Sequence, residues 1–119
     1  MAKVLIHDSD ADILAVICYI LAEEGHEVLT VSSYNEAVLG VETYAPDVVL
    51  LDFALYGEPC IEACNVIKSR YPELPVIAVS CNKHLVESNA QGLFDACIEK
   101  PFEIHEVILI IRNYTLAQK

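Results

Sequence analysis

Five short, mostly apolar runs punctuate the chain, at 3–7, 27–31, 47–51, 76–79 and 94–98. Runs of this length predict strands. Val48-Val49-Leu50-Leu51 and Val76-Ile77-Ala78-Val79 have no polar alternation, which suits parallel strands buried on both faces. The segments between them carry helix signals. Asp10 or a neighbour can cap a helix from Ala11 to Glu24, with Gly25 as its stop. Ser33-Tyr34-Asn35-Glu36 reads as a capping box, the serine accepting from first-turn amides while the glutamate reaches back, and a helix follows to Tyr44 before Pro46 blocks it. Pro59 opens a third helix reaching Tyr71, a short polar helix covers Lys83 to Ala90, and a last one runs from Glu103 to Ala117.

Strand then helix, five times over, predicts an α/β domain: a doubly wound, five-stranded parallel sheet with right-handed crossovers and helices on both faces. The first helix is unusual, because the ten residues from Ile13 to Ala22 carry no charge. The expectation is that Ile13, Val16, Ile17 and Ile20 face the sheet while Leu14, Cys18, Leu21 and Tyr19 lie on the outer side. Val107 to Ile111 is a second such run. Deep packing between helices is the first explanation of both runs, and a partner surface the second.

A chain of 119 residues fits one domain, spanning 1–119, with no linker or low-complexity segment. Ile13–Ala22 is too short for a membrane span, which needs about 18 apolar residues or more, and the start lacks a signal-peptide pattern. A soluble, cytoplasmic protein is expected. Seven Lys+Arg against 18 Asp+Glu give a net charge of −11, which argues against direct contact with nucleic acid or an anionic membrane and leaves room for a cation held by carboxylates. The five cysteines, Cys18, Cys60, Cys64, Cys81 and Cys97, are odd in number and lack zinc-site spacing, so they read as reduced thiols acting as small hydrophobes.

Chemistry is expected where parallel strands end, because ligands bind beyond their carboxyl edge. The first strand releases Asp8, the third Asp52, the fourth Ser80 and the fifth Lys100. Singly, the acids could be helix caps, the serine a cap of the next helix and the lysine a loop residue. If the first and third strands are neighbours, Asp8 and Asp52 share a pocket with Ser80 and Lys100 across from them. A hard divalent cation would relieve the repulsion of two carboxylates, and magnesium suits because it takes few carboxylates and keeps waters. The lysine and the hydroxyl would meet phosphate oxygens. Such a pocket suits phosphoryl chemistry on a carboxylate.

Four segments together, Val4-Leu5-Ile6-His7-Asp8-Ser9-Asp10-Ala11-Asp12-Ile13, Pro46-Asp47-Val48-Val49-Leu50-Leu51-Asp52, Pro75-Val76-Ile77-Ala78-Val79-Ser80 and Lys100-Pro101-Phe102, resemble the receiver domain of two-component response regulators over nearly the whole chain. The resemblance implies the flavodoxin-like strand order 2-1-3-4-5. It implies that Asp52 accepts a phosphoryl group from a sensor histidine kinase or a phosphotransfer protein. It assigns magnesium to Asp8, Asp52 and the Ala54 carbonyl, gives Ser80 and Lys100 contacts to the phosphoryl group, and makes the Lys100–Pro101 bond cis.

Four positions depart from the family pattern. Ser9 stands where a second acid is usual, which should weaken magnesium; Asp10 could compensate but is better placed at the helix start. Tyr56 replaces a frequent proline and Cys60 a common glycine. Cys97 occupies the aromatic switch position, which puts the coupling to Ser80 in doubt. The expected role is a phosphoacceptor switch, not an enzyme, with slow autodephosphorylation as its only catalysis. It would act on a downstream protein partner, with homodimerisation left open, either alone or as a fragment of a longer chain. The alternative is a degenerate receiver that works as a phosphorylation-independent interaction module. A hydrolase with an aspartyl intermediate would need a second acid beside Asp52, where Phe53 and Ala54 stand.

Overall fold

The computed structural model describes residues 2–54, 57–90, 92–101 and 103–116. Ten elements alternate: β1 (Lys3–His7), α1 (Ala11–Glu23), β2 (Glu27–Val31), α2 (Tyr34–Tyr44), β3 (Val48–Asp52), α3 (Glu58–Arg70), β4 (Val76–Ser80), α4 (Lys83–Ala90), β5 (Ala96–Glu99) and α5 (Ile104–Leu116). All strands are parallel, in the order β2-β1-β3-β4-β5. This is the flavodoxin-like arrangement, with β1 and β3 neighbours at the point where strand order reverses.

The period of two along each strand divides the core into two layers. Leu5, Val49, Leu51, Val76 and Ala78 point to one face and pack with Ala37 and Val41 of α2, Cys60, Ala63, Cys64 and Ile67 of α3, and Val86 and Ala90 of α4. Val4, Ile6, Val48, Leu50, Ile77, Val79 and Ile98 point to the other, against Leu14, Ile17 and Leu21 of α1 and Val107 and Ile111 of α5. β3 and β4 are therefore covered on both sides, as their unbroken apolar runs require.

The first helix corrects the sequence reading. Leu14, Ile17 and Leu21 form its buried stripe, whereas Val16 is 56% and Tyr19 69% exposed; Ile13, Cys18 and Ile20 are half-buried. A helix apolar all round has no phase in its own pattern. The phase comes from the entry turn, where Asp8 Oδ1 accepts the Asp10 amide at 2.9 Å and Asp10 caps Asp12 and Ile13. Deep packing thus accounts for Leu14, Ile17, Leu21, Val107 and Ile111, while Leu109 stays exposed.

Smaller differences have local causes. β5 starts at Ala96, not Phe94, because Asp95 is occupied before the ladder begins: its carboxylate accepts the Val76 amide at 2.8 Å and the Lys68 ammonium at 2.6 Å. The helix start at Ser33 keeps the serine half of the predicted box, with the Glu36 amide donating to Ser33 Oγ at 3.1 Å. Glu36, however, reaches back one residue further, accepting from the Ser32 amide and hydroxyl. Gly25 ends α1 at φ +85°, as its position predicts. α3 begins at Glu58, one residue before Pro59. No helix among the described residues is long and apolar enough to cross a membrane.

Candidate functional site

β1 and β3 release Asp8 and Asp52 side by side, and the loop after β5 brings Lys100 over both. The Lys100 ammonium lies 3.0 Å from Asp8 Oδ2 and 3.0 Å from Asp52 Oδ1. The three side chains are 16%, 6% and 14% exposed in the order Lys100, Asp8, Asp52. Lys100 is anchored through its backbone, whose amide donates to the Ser80 carbonyl at 2.7 Å, and the Lys100–Pro101 bond is cis. Burial alone would lower the lysine's pKa, but the hydrogen bonds and charges of Asp8 and Asp52 outweigh it and hold the value above normal. Lys100 is therefore no surface lysine. Asp8 is no helix cap either, since Asp10 fills that role.

The other expected residues stand at varying distance from this centre. Ser80 ends β4 at the same edge and is buried, but its hydroxyl is engaged with Asn82, accepting from the amide at 3.0 Å and donating to the carbonyl at 3.1 Å. It does not cap α4, where Asn82 Oδ1 accepts the His84 amide. The Ala54 carbonyl accepts the Gly57 amide at 2.9 Å. Ser9 is exposed. Cys97 lies half-buried on β5 opposite Ala78, and burial raises its thiol pKa. Tyr56 and Phe102 lie outside the described residues. Cys60 and Cys64 are buried free thiols, both pushed up to about 12 by burial, so they behave as small hydrophobes.

Two neighbours of Asp52 went unnoticed in the sequence. His7, the last residue of β1, is buried and its Nδ1 accepts the Asp52 amide at 3.3 Å. Tyr34, the first residue of α2, stacks on His7 with ring centroids 4.1 Å apart and donates its hydroxyl to the Asp52 carbonyl. Burial lowers the His7 pKa against the opposing pull of Asp52 and Asp8, and burial likewise raises that of Tyr34. The signal for His7 was a polar residue closing an apolar run; Tyr34 was hidden inside a capping motif.

The donor set accommodates magnesium chemically: two converging carboxylates and a nearby backbone carbonyl are hard oxygens, and magnesium binds through one or two carboxylates while keeping waters. The carboxylates now share a cation, the lysine, which shows that the place favours positive charge.

Comparison with known proteins identifies the family. The response regulator receiver domain family matches residues 4–112. The nitrogen assimilation regulatory protein NtrX of Azorhizobium caulinodans is 30% identical over 112 residues, and the DNA-binding transcriptional regulator NtrC of Klebsiella pneumoniae 34% over 107, covering 90% and 87% of this chain. The chain spans about a quarter of the length of these curated relatives, 24% and 23%. Among solved structures, the receiver domain of NtrX from Brucella abortus superposes with a TM-score of 0.81 at 31% identity, covering 94% of this chain and 97% of that one. A Francisella response regulator receiver domain matches with a TM-score of 0.88 at 23% identity over the full length of both, a likeness of fold. On the family match and these relatives, the chain belongs to the response regulator receiver domain family.

Proposed function

We propose that residues 1–119 form one receiver domain that works as a phosphoacceptor switch, with Asp52 as the acceptor. One observation carries the choice of Asp52 over Asp8. Both Asp8 oxygens are engaged, Oδ1 by the Asp10 amide and Oδ2 by Lys100. Among the described residues the Asp52 carboxylate is bonded only through Oδ1, so its Oδ2 keeps open lone pairs, and it is the more exposed of the two. In the transfer, an Asp52 oxygen attacks the phosphorus of a phosphohistidine. The P–N bond breaks, its electron pair returns to the imidazole nitrogen, and an acyl phosphate forms.

Lys100 then has a new task. Its ammonium, already aimed at Asp52, pairs with the phosphoryl oxygens. The Ser80 hydroxyl can donate to them only by giving up its bond to the Asn82 carbonyl, which couples phosphorylation to the β4–α4 loop. Asp8, Asp52 and the Ala54 carbonyl would hold magnesium. Bound there, it supplies neutralising charge to the phosphoryl group. The donor partner is a sensor histidine kinase or a phosphotransfer protein, and the output goes to a downstream protein, a second copy being one form of it. The acidic surface disfavours direct binding to nucleic acid or membrane, and a cytoplasmic site of action goes with this chemistry. Slow autodephosphorylation is the only catalysis the reading includes.

Ser9 favours a second reading, a degenerate receiver that binds partners without phosphorylation, since the neighbouring acid usual in the family is replaced. Intact-mass analysis after acetyl phosphate and magnesium decides between them. The switch gains one phosphoryl mass and Asp52→Asn gains none. A wild type that stays unmodified speaks for the degenerate reading, and an adduct retained in Asp52→Asn places the acceptor elsewhere.

A further inference from the structure

Asp52 ends the central strand, and its two backbone groups need partners where the sheet runs out. Toward β4 the ladder continues, with Asp52 opposite Val79 and the Phe53 amide donating to the Val79 carbonyl at 2.8 Å. Toward β1 the last pair is His7 with Leu51, one residue short. Two side chains take over there. The Asp52 amide donates to His7 Nδ1, and the Asp52 carbonyl accepts from the Tyr34 hydroxyl. The two rings lean on each other at 31°. Tyr34 is held by the first turn of α2, which the Ser33–Glu36 cap fixes, and His7 by the end of β1.

We propose that His7 and Tyr34 are positioning residues, a stacked pair that clamps the peptide groups on either side of the Asp52 Cα and so aims its carboxylate at Lys100 and the incoming phosphorus. The proposal rests on Asp52 being the phosphoacceptor. Its physical basis is short reach: the carboxylate hangs two bonds from the clamped Cα, so a backbone shift passes directly to the attacking oxygen. Near-attack geometry tolerates little of this, a misplacement of about 1 Å costing roughly 100-fold. The Asp52 amide bond to Nδ1 requires the ring proton on Nε2. Neither residue touches the reacting atoms, so each acts through Asp52.

The test uses His7→Phe and Tyr34→Phe, which keep a ring and delete one polar partner each, and His7→Asn, whose Oδ1 stands near the position of Nδ1. Two readouts are taken: saturation kinetics of phosphorylation by acetyl phosphate, and hydrogen exchange at the Asp52 amide by NMR. Loss of one neutral hydrogen bond corresponds to about a fivefold lower maximal rate in each Phe variant, with half-saturation unchanged. The Asp52 amide should exchange faster in both. The double variant should lose less than the product of the singles, and His7→Asn should recover rate relative to His7→Phe. If both Phe variants keep the wild-type rate and Asp52 exchange, the clamp is overturned. It is equally overturned if rate falls only in step with the folded fraction. Should His7→Phe fail to fold, Tyr34→Phe carries both readouts alone. A wild type that takes no phosphoryl group removes the functional reading, and the Asp52 amide then decides the clamp by itself.

Discussion

Replacing Lys100 by Met keeps most of the length of the side chain and removes the cation that bridges the two carboxylates. Were the cluster exposed, the loss would be about 0–1 kcal/mol. It is not: Asp8 and Asp52 are 6% and 14% exposed, and each lies 3.0 Å from the ammonium. Breaking a buried pair from one side costs about 3–5 kcal/mol, because the charge left behind has neither water nor partner. Here two like charges are left, so the upper part of that range applies. A domain of this size has a total stability of about 5–15 kcal/mol, so the variant should remain folded but marginal. With a urea slope of about 1.5–2 kcal/mol/M, the midpoint should fall by roughly 2–3 M near neutral pH. The double variant Asp8→Asn/Lys100→Met removes one of the orphaned charges and should regain at least half of that fall. Magnesium should raise the midpoint of Lys100→Met more than that of wild type, since in the variant it no longer competes with the ammonium. A shift below about 0.5 M, or a double variant no more stable than the single, would show that solvent and not Lys100 balances the carboxylates.

Three further outcomes follow from other parts of the molecule. Ser9→Asp restores a carboxylate beside Asp8 and should tighten magnesium by on the order of tenfold, about 1.4 kcal/mol, in calorimetry; equal affinities would mean that another group already fills the gap. Gly57 sits at φ +81° with the Phe53 ring where a Cβ would go, so Gly57→Ala should lose about 2–5 kcal/mol from left-handed strain plus repacking; an unchanged thermal midpoint would refute the crowding. Burial holds the His26 imidazole below its ordinary 6.5, while its Nδ1 accepts the Ala2 amide at 3.1 Å. The unfolded chain then binds more protons than the folded one as pH drops through this range, so this contribution to stability is complete above pH 6.5 and is lost as pH falls through the lowered folded value. His26→Asn, which keeps an acceptor without titrating, should lose less stability than wild type between about pH 7.5 and pH 5; equal losses would clear His26 of any part in the acid limb.

The amino-acid order by itself determined the alternation of elements and which side chain each strand releases. Val48-Val49-Leu50-Leu51-Asp52 states its own fate: an unbroken apolar run must be buried on both faces, and its terminal acid must sit where burial ends. The same logic located Asp8, Ser80 and Lys100, because strand ends are local features. The cap at Asp10 and the stop at Gly25 were equally local, a side-chain oxygen beside free amides and a residue free to adopt positive φ. What neighbours what was not local. That Lys100 bridges Asp8 and Asp52 depends on chain segments 92 and 48 residues away. The burial phase of α1 depended on its entry turn, since a helix apolar on every side carries no phase in its sequence. Ser80 shows the same limit at atomic scale: its place on the edge followed from β4, but its bond to Asn82 followed from how the next loop turned. His7 and Tyr34 mark the limit most plainly. His7 was the polar last residue of an apolar run, and Tyr34 was part of a helix cap. Only the parallel pairing of β1 with β3, and the packing of α2 over that edge, brought the two rings together onto the peptide groups of Asp52.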